Sequence, residues 1–212
     1  MRWWFHLDVL SGSSLCHWAT LPLTMRAFLA ITLPEDVRRS LTVLQEDLAG
    51  SRADVKWVEA PNLHVTLKFL GEITEQERQA IEALLARVAQ REGPFTLAVE
   101  GVGAFPTLTA PRVVWVGLGE GKDAAARIAQ TIDREGDAIP LQREERPFAA
   151  HITFGRVRSG RNRPALVQRL RAVTWQPPGP WQVTSLTLYQ SVLSSEGPRY
   201  SALTDVLLRG GS

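Results

Sequence analysis

Cysteine is almost missing from this sequence, which has 212 residues and a single cysteine, Cys16. One thiol excludes an intramolecular disulfide and argues against a zinc site built from cysteines. Long apolar runs are missing as well, because none approaches the roughly 18 residues of a membrane-spanning helix. Residues 1–24 lack a convincing basic start, apolar centre and small-residue cleavage site, so they make a poor signal peptide. We therefore expect a protein without a membrane anchor, located in the cytoplasm.

Two common catalytic signatures are also missing. The phosphate-binding loop Gly-x₄-Gly-Lys-Ser/Thr does not occur, so the chain has no visible cradle for the phosphates of ATP. The nucleophile elbow Gly-x-Ser-x-Gly does not occur either, which argues against a serine hydrolase.

Lysine is scarce and arginine takes its place. Three of the 24 basic residues are lysines, and the net charge is only +2. Eight arginines lie between residues 143 and 171, against two acidic residues. They are Arg143, Arg146, Arg156, Arg158, Arg161, Arg163, Arg169 and Arg171. The planar guanidinium suits phosphate, so the cluster indicates a polyanionic ligand; a solvated surface explains it equally well.

The most informative pattern is a repeated tetrapeptide. His64-Val65-Thr66-Leu67 recurs 87 residues later as His151-Ile152-Thr153-Phe154. The other two histidines of the chain, His6 and His17, precede residue 24. Both copies lie in runs typical of β-strands, where residues i and i+2 share a face. Each copy therefore places an imidazole beside a hydroxyl.

Strict alternation extends this reading along both strands. In the first strand, predicted over residues 63–70, His64, Thr66, Lys68 and Leu70 share one face. Val65, Leu67 and Phe69 share the other, which is wholly apolar and needs a helix to cover it. In the second strand, predicted over residues 149–157, Gly155 follows His151 and Thr153 on the same face and leaves room for a ligand.

Two imidazoles and two hydroxyls on facing strands suit acid–base chemistry at phosphorus. Because an unperturbed imidazole has a pKa of about 6.5, one histidine can accept a proton while the other donates one. The threonine hydroxyls can bind phosphoryl oxygens. A single His-x-Thr in a strand is more often structural than catalytic, but two copies favour catalysis. We expect no metal, since these histidines lack a cysteine or a carboxylate at ligand spacing.

The order of predicted elements is roughly a duplication. Helices are predicted after Pro34 and after the capping box Thr74-Glu75-Gln76-Glu77, and loops over residues 101–111 and 136–147. Residues 181–193 read as one strand. We expect an α+β fold of two pseudo-symmetric lobes, each an antiparallel-rich sheet covered by helices, with the two His-x-Thr-x strands in a central cleft.

The domain organisation follows from a change of character at Met25, where a clean strand pattern begins. We expect residues 1–24 to be an N-terminal extension upstream of the natural start at Met25. Residues 25–208 then form a single bilobal domain, and residues 209–212 are a tail.

Several segments resemble one family. They are residues 25–31, 62–71, 105–106 with 111–116, 146–157, and 188–200. In these segments the chain resembles the two-histidine (2H) phosphoesterases, and among them the bacterial and archaeal RNA 2′,3′-cyclic phosphodiesterases, formerly called 2′–5′ RNA ligases. The similarity covers about residues 25–208. Residues 1–24 have no counterpart, and Ala150 stands where the family pattern has proline.

The resemblance implies metal-independent, cofactor-free opening of a terminal RNA 2′,3′-cyclic phosphate to a 2′-phosphomonoester. It implies that His64 is the proton donor, that His151 is the proton acceptor, and that Thr66 and Thr153 hold the phosphate. Arg156 fits a phosphate-clamping arginine, but strict alternation turns it away from His151 unless the strand is bulged near Gly155. Lys68 is a further electrostatic candidate.

The resemblance also implies a monomer that acts on RNA ends, with tRNA fragments as one candidate source. Two alternatives stay open. A related 2H enzyme could act on small cyclic nucleotides or on 2′–5′ linked RNA, including as a 2′–5′ RNA ligase. A non-catalytic module could hold a nucleotide or an RNA end, although binding alone does not require two titratable groups.

Overall fold

The computed structural model describes residues 24–139, 148–195 and 197–210. Its first seven elements are β1 Thr24–Thr32, α1 Glu35–Ala49, β2 Val55–Trp57, β3 His64–Thr74, α2 Glu75–Arg91, β4 Phe95–Leu97 and β5 Val99–Phe105. They are followed by β6 Val113–Leu118, α3 Lys122–Glu135, β7 His151–Val157, α4 Arg163–Arg171, β8 Trp181–Val183, β9 Ser185–Leu193 and β10 Pro198–Leu207. The expected extension, apart from Thr24, lies outside the described residues, as do residues 140–147 of the expected loop and 211–212 of the tail.

The strands form two four-stranded antiparallel sheets, in the orders β10-β9-β1-β3 and β2-β7-β6-β5, with β4 and β8 paired separately. The predicted α+β class with two lobes is confirmed. Each motif strand belongs to a different sheet, and β3 contacts β7. The lobes are not simply the two halves of the sequence, however. Strands β9 and β10 join β1 and β3, whereas β2 and β5 join β6 and β7.

The helices begin where the sequence predicts. Helix α1 follows Pro34, and its apolar stripe is buried. At the start of α2 the side chain of Thr74 accepts from the backbone N–H of Glu77 while the Glu77 carboxylate accepts from the backbone N–H of Thr74, as the capping box predicts. None of the helices in the described ranges is long and apolar enough to cross a bilayer.

Helices cover the face of each sheet that lies opposite the motif histidines. Helices α2 and α3 pack together and against β3. Helix α1 contacts α4, and Gln45 of α1 donates to the backbone oxygen of Phe154 in β7. Val65 and Ile152, the apolar residues inside the two motifs, are fully buried on this side. Burial of these residues leaves the histidines and threonines to face the cleft.

Three predicted boundaries are wrong. Strand β3 continues past Gly71 to Thr74, and β5 continues past Gly101 to Phe105. Both glycines have positive φ values, 73° and 67°, beside a register shift, so the chain makes a bulge and then resumes pairing. The single strand predicted over residues 181–193 is two strands, because β8 pairs with β4 whereas β9 pairs with β1.

Candidate active site

Both motif strands carry a β-bulge directly after the motif threonine. In β3, Thr66 pairs with Ala30 and Lys68 with Leu29, which leaves Leu67 as the extra residue. In β7, Thr153 pairs with Trp115 and Gly155 with Val114, which leaves Phe154 extra. An extra residue reverses the alternation of side chains beyond it. Residues after each bulge therefore face the side opposite to the one that strict alternation predicts.

His64 is the first residue of β3, and both of its ring nitrogens have partners. Its Nδ1 lies 2.8 Å from the backbone oxygen of Asn62, and its Nε2 lies 2.9 Å from Oγ1 of Thr66. A carbonyl oxygen can only accept, so Nδ1 carries the proton in the neutral ring. Nε2 is then the acceptor, and the threonine hydroxyl donates to it.

His151 repeats this arrangement at the start of β7. Its Nδ1 lies 2.6 Å from the backbone oxygen of Ala149, and its Nε2 lies 3.2 Å from Oγ1 of Thr153. The same tautomer follows by the same reasoning. Each half of the site therefore presents an imidazole Nε2 next to a hydroxyl, as the repeated tetrapeptide predicts.

The two histidines have different surroundings. The ring of His64 lies 4.7 Å from Phe28 and 5.4 Å from Tyr200, which meets it edge-on. Burial among these rings lowers the pKa of His64, the hydrogen bond to Asn62 partly raises it, and the charge of His151 lowers it further. His151 is flanked edge-on by Phe105 at 5.2 Å. Both imidazoles therefore lie against aromatic rings, and each bonds to the threonine of its own motif.

A cavity of about 180 Å³ lies between the two motif strands. Both threonines, Thr66 and Thr153, line it together with His64. The rest of its lining is Lys56, Trp57, Val58, Glu59, Asn62, Phe69, Arg156, Pro198 and Tyr200. The hydroxyls of the two motifs therefore converge on one space, as a shared phosphate site requires.

The bulge places Lys68 away from the cleft. Its side chain is 2% exposed and forms an ion pair with Asp133 of α3. The expectation that Lys68 shares a face with His64 is wrong, because Leu67 is the extra residue between them and reverses the alternation. Leu70 is likewise buried rather than cleft-facing.

The same bulges bring Phe69 and Arg156 into the cleft. Arg156 lines the cavity, which meets the condition that the sequence sets for a phosphate-clamping role, a bulge near Gly155. Phe69, predicted on the apolar face, instead lines the cavity with 59% of its surface exposed. Gly155 lies against the ring of Trp57, where a Cβ would approach to 2.8 Å, so this glycine accommodates an indole rather than a ligand.

The arginines between residues 143 and 171 do not form one surface. Arg156 lies in the cleft, whereas Arg169 pairs with Asp47 of α1 at 3.1 Å. Arg163 and Arg171 line a separate open groove beside α4. Arg143 and Arg146 lie outside the described residues. Of the described arginines in this range, Arg156 is the one that lines the cavity with the motif residues.

Sequence reasoning missed eight of the twelve lining residues, among them Lys56, Tyr200 and Asn62. Lys56 joins the site because β2 pairs with β7, a long-range contact without a local signal. Tyr200 arrives on β10 from the far end of the chain. Asn62 could have been found from the sequence, because it stands two residues before His64, as Ala149 stands two residues before His151. Its side chain donates to the backbone oxygen of Pro198 at 2.9 Å. That bond ties the start of β3 to the start of β10.

Two hydroxyls that line one cavity, each bonded to the histidine of its own motif in a two-lobed α+β fold, define a two-histidine phosphoesterase. Comparison with known families agrees with this class. The family described as LigT-like phosphoesterase matches residues 31–115 and again residues 116–200, once for each motif. The chain belongs to the LigT-like phosphoesterase family.

Individual relatives match over most of the chain. It is 37% identical over 166 residues to a protein of Aeropyrum pernix named RNA 2′,3′-cyclic phosphodiesterase, a match that covers 78% of this chain and 93% of the relative. Among solved structures, TT0787 of Thermus thermophilus is similar with a TM-score of 0.73 and 31% identity, covering 88% of this chain and 99% of that one. E. coli LigT complexed with 3′-AMP is similar with a TM-score of 0.71 and 29% identity over the same shares.

Proposed function

We propose that this chain hydrolyses the terminal 2′,3′-cyclic phosphodiester of RNA to a 2′-phosphomonoester. The observation that carries the proposal is that the hydroxyls of Thr66 and Thr153, each bonded to the imidazole of its own motif, line one cavity. The names of the curated relatives support RNA as the substrate class. A module that only binds nucleotides would not need two imidazoles whose Nε2 atoms both bond to hydroxyls of the cavity lining.

In the proposed reaction, His151 is the proton acceptor and His64 the proton donor. Nε2 of His151 removes a proton from a water molecule as the water oxygen forms a bond to phosphorus. The bond between phosphorus and O3′ breaks, and O3′ takes the proton from Nε2 of His64. The products are the 2′-phosphomonoester and a free 3′-hydroxyl. Each transfer contributes roughly 10²–10⁴ in rate.

His64 is suited to the donor role once substrate is bound. Burial lowers its pKa in the free enzyme, so the ring is largely neutral near pH 7. A phosphodiester anion bound beside it favours the charged ring and raises its pKa again. The donor proton is then held most firmly in the complex, where the reaction needs it.

Thr66 and Thr153 are proposed to hold the phosphoryl oxygens. In the structure each hydroxyl bonds to the imidazole of its own motif, and each lines the cavity, so a short rotation aims it at a phosphate between them. Arg156 adds positive charge on the same face of β7. These three side chains can stabilise the negative charge that builds on phosphorus in the transition state.

One chain supplies both histidines and both threonines, which supports the proposal that residues 25–208 form the complete catalytic unit and act as a monomer. The 3′ ends of cleaved tRNA are one source of the proposed substrate. Chromatography at the concentrations used for activity assays tests the first point, and a dimer as the active species would contradict it.

Product analysis on a short RNA that ends in a 2′,3′-cyclic phosphate tests the proposed function. We expect a 2′-phosphate product, activity that is insensitive to EDTA, and a loss of at least about 10² in kcat for His64→Ala and for His151→Ala. Thr42→Ala, at a partly buried hydroxyl of α1 that bonds its own helix, is a matched control. Formation of a 3′-phosphate, or variants within a few-fold of wild type, would contradict the mechanism.

A further inference from the structure

The edge strand β2 adds a second cation beside Arg156. Lys56 on β2 is the direct cross-strand partner of Arg156 on β7. Direct partners project from the same face of a sheet, with Cβ atoms about 5 Å apart. Both side chains line the cleft cavity. The cavity therefore has an ammonium and a guanidinium side by side along one edge.

Of these two cations, Lys56 lies farther from the motif residues than Arg156 does. Along β7 the cleft-facing residues follow in the order His151, Thr153 and Arg156, and Lys56 lies one strand beyond Arg156. The reacting phosphate needs both imidazoles and both hydroxyls, so it lies at the end of the cavity near the motifs. Lys56 is left at the opposite end, where it can meet a different part of the substrate.

Phosphate is the group that this edge is suited to bind. Arginine offers a planar fork and lysine a compact charge, and both are used to bind phosphate in proteins. Lys56 and Arg156 supply the lysine and the arginine of the cavity lining, which also contains Glu59. In an RNA strand, the next negative charge after the terminal cyclic phosphate is the phosphodiester on the 5′ side of the last ribose.

We propose that Lys56, one strand beyond Arg156, binds the phosphodiester that precedes the terminal nucleotide, so that the enzyme selects an RNA strand over an isolated cyclic mononucleotide. The inference rests on the proposed function. It makes Lys56 a specificity-determining residue, because a nucleoside 2′,3′-cyclic phosphate has no upstream phosphate for it to contact.

The experiment compares two substrates in four proteins. A dinucleotide that ends in a 2′,3′-cyclic phosphate has one upstream phosphodiester, and the corresponding nucleoside 2′,3′-cyclic phosphate has none. We expect wild type to prefer the dinucleotide in kcat/KM by about 10-fold, as for one charge-assisted contact. Lys56→Gln should remove most of that preference, and Lys56→Arg should keep it because the charge remains. Lys122→Gln, at an exposed lysine that begins α3, is the matched control and should keep the preference.

Salt dependence gives a second measurement. Each phosphate contact on a single strand contributes a slope of about 0.7 to the fall of log affinity with log salt. Lys56→Gln should reduce the slope for the dinucleotide by about that amount. The inference would be overturned if Lys56→Gln left both the substrate preference and the salt slope intact. It would also be overturned if wild type used both substrates equally. In either case the proposed function would stand. Failure of wild type to open either substrate would overturn the proposed function and this inference with it.

Discussion

Phe69 and Arg156 occupy equivalent positions, 87 residues apart, on two strands that are bulged in the same place. Each follows its motif histidine by five residues and turns into the cleft because the residue after the motif threonine is extra. One half of the site therefore ends in an exposed aromatic ring and the other in a guanidinium. A nucleotide has a base that stacks and a phosphate that is charged, so the asymmetry between the halves matches an asymmetry in the proposed substrate.

Arg156 should matter more than its neighbour Arg158, although both are exposed and both lie close to the end of β7. Arg156 lines the cavity and Arg158 does not. We expect Arg156→Gln to lower kcat/KM on cyclic-phosphate RNA by about 10- to 100-fold, the size of one charge-assisted contact. Arg158→Gln should stay within about 2-fold. Equal losses in the two variants would show that overall charge, rather than a contact in the cleft, is responsible.

Phe69 should stack on a nucleobase. Its ring leans on Phe28 at 6.3 Å, and 59% of its surface is exposed in the cleft. Base–aromatic stacking contributes roughly 1–3 kcal/mol per base. We expect Phe69→Ala to raise KM about 10-fold with little change in kcat, and Phe69→Trp to keep KM near wild type. The midpoint of urea unfolding should hardly move, because the exposed ring fills no cavity; a large destabilisation would assign Phe69 to the core instead.

The repeated tetrapeptide was sufficient to predict that each motif pairs an imidazole with a hydroxyl. His64 and His151 could be found from the sequence because they are direct repeats in strands, where alternation is a local rule. Helices α1 and α2 could be predicted because an apolar stripe and a capping box are also local patterns. The sequence resemblance added the reaction and the donor and acceptor roles, which alternation alone does not distinguish.

The remaining features depend on long-range pairing. Whether Lys68 or Phe69 faces the cleft is decided by a bulge, which the sequence of β3 alone does not reveal. Lys56 reaches the cavity only because β2 pairs with a strand about 100 residues further along the chain. The placement of β2 and β5 with β6 and β7, and of β9 and β10 with β1 and β3, is of the same kind. Registers and strand partners are set by the packing of the whole sheet, so pattern reasoning misplaced the residues that depend on them.

The donor and acceptor roles can be separated by the leaving group. In a 3′-deoxynucleoside 2′-(p-nitrophenyl phosphate), the departing phenolate is weakly basic and needs no proton. We expect the loss of activity in His64→Ala to be at least about 10-fold smaller on this ester than on cyclic-phosphate RNA. The reason is that the ester needs no proton donor but still needs an activated water. His151→Ala should lose activity on both substrates, since water must still be activated. The reverse pattern would exchange the two roles.

The pH dependence of turnover should reflect the burial of His64. A donor must be protonated, and burial lowers the pKa of this ring below its usual 6.5 in the free enzyme. As pH rises through that lowered pKa the ring loses its proton, so kcat/KM should fall from below pH 6.5 upward. The bound phosphate raises the pKa, so kcat should begin to fall at higher pH. An NMR titration of His64 in the free enzyme checks the cause, and a pKa at or above 6.5 would contradict it.

The ion pair between Lys68 and Asp133 should act on stability and not on turnover. Lys68 is 2% exposed and Asp133 is 34% exposed, so removal of the aspartate takes an acidic partner from a buried ammonium, whereas removal of the lysine leaves a carboxylate that water can reach. We expect Asp133→Ala to lower the free energy of unfolding by at least about 2 kcal/mol and Lys68→Met to lower it by less. Because the pair joins β3 to α3 behind the cleft, kcat per folded molecule should stay within about 3-fold of wild type in both variants. Urea unfolding and active-site titration measure the two quantities separately. A loss of kcat of about 10² in stably folded Lys68→Met would instead give this lysine the electrostatic role in catalysis that strict alternation suggests.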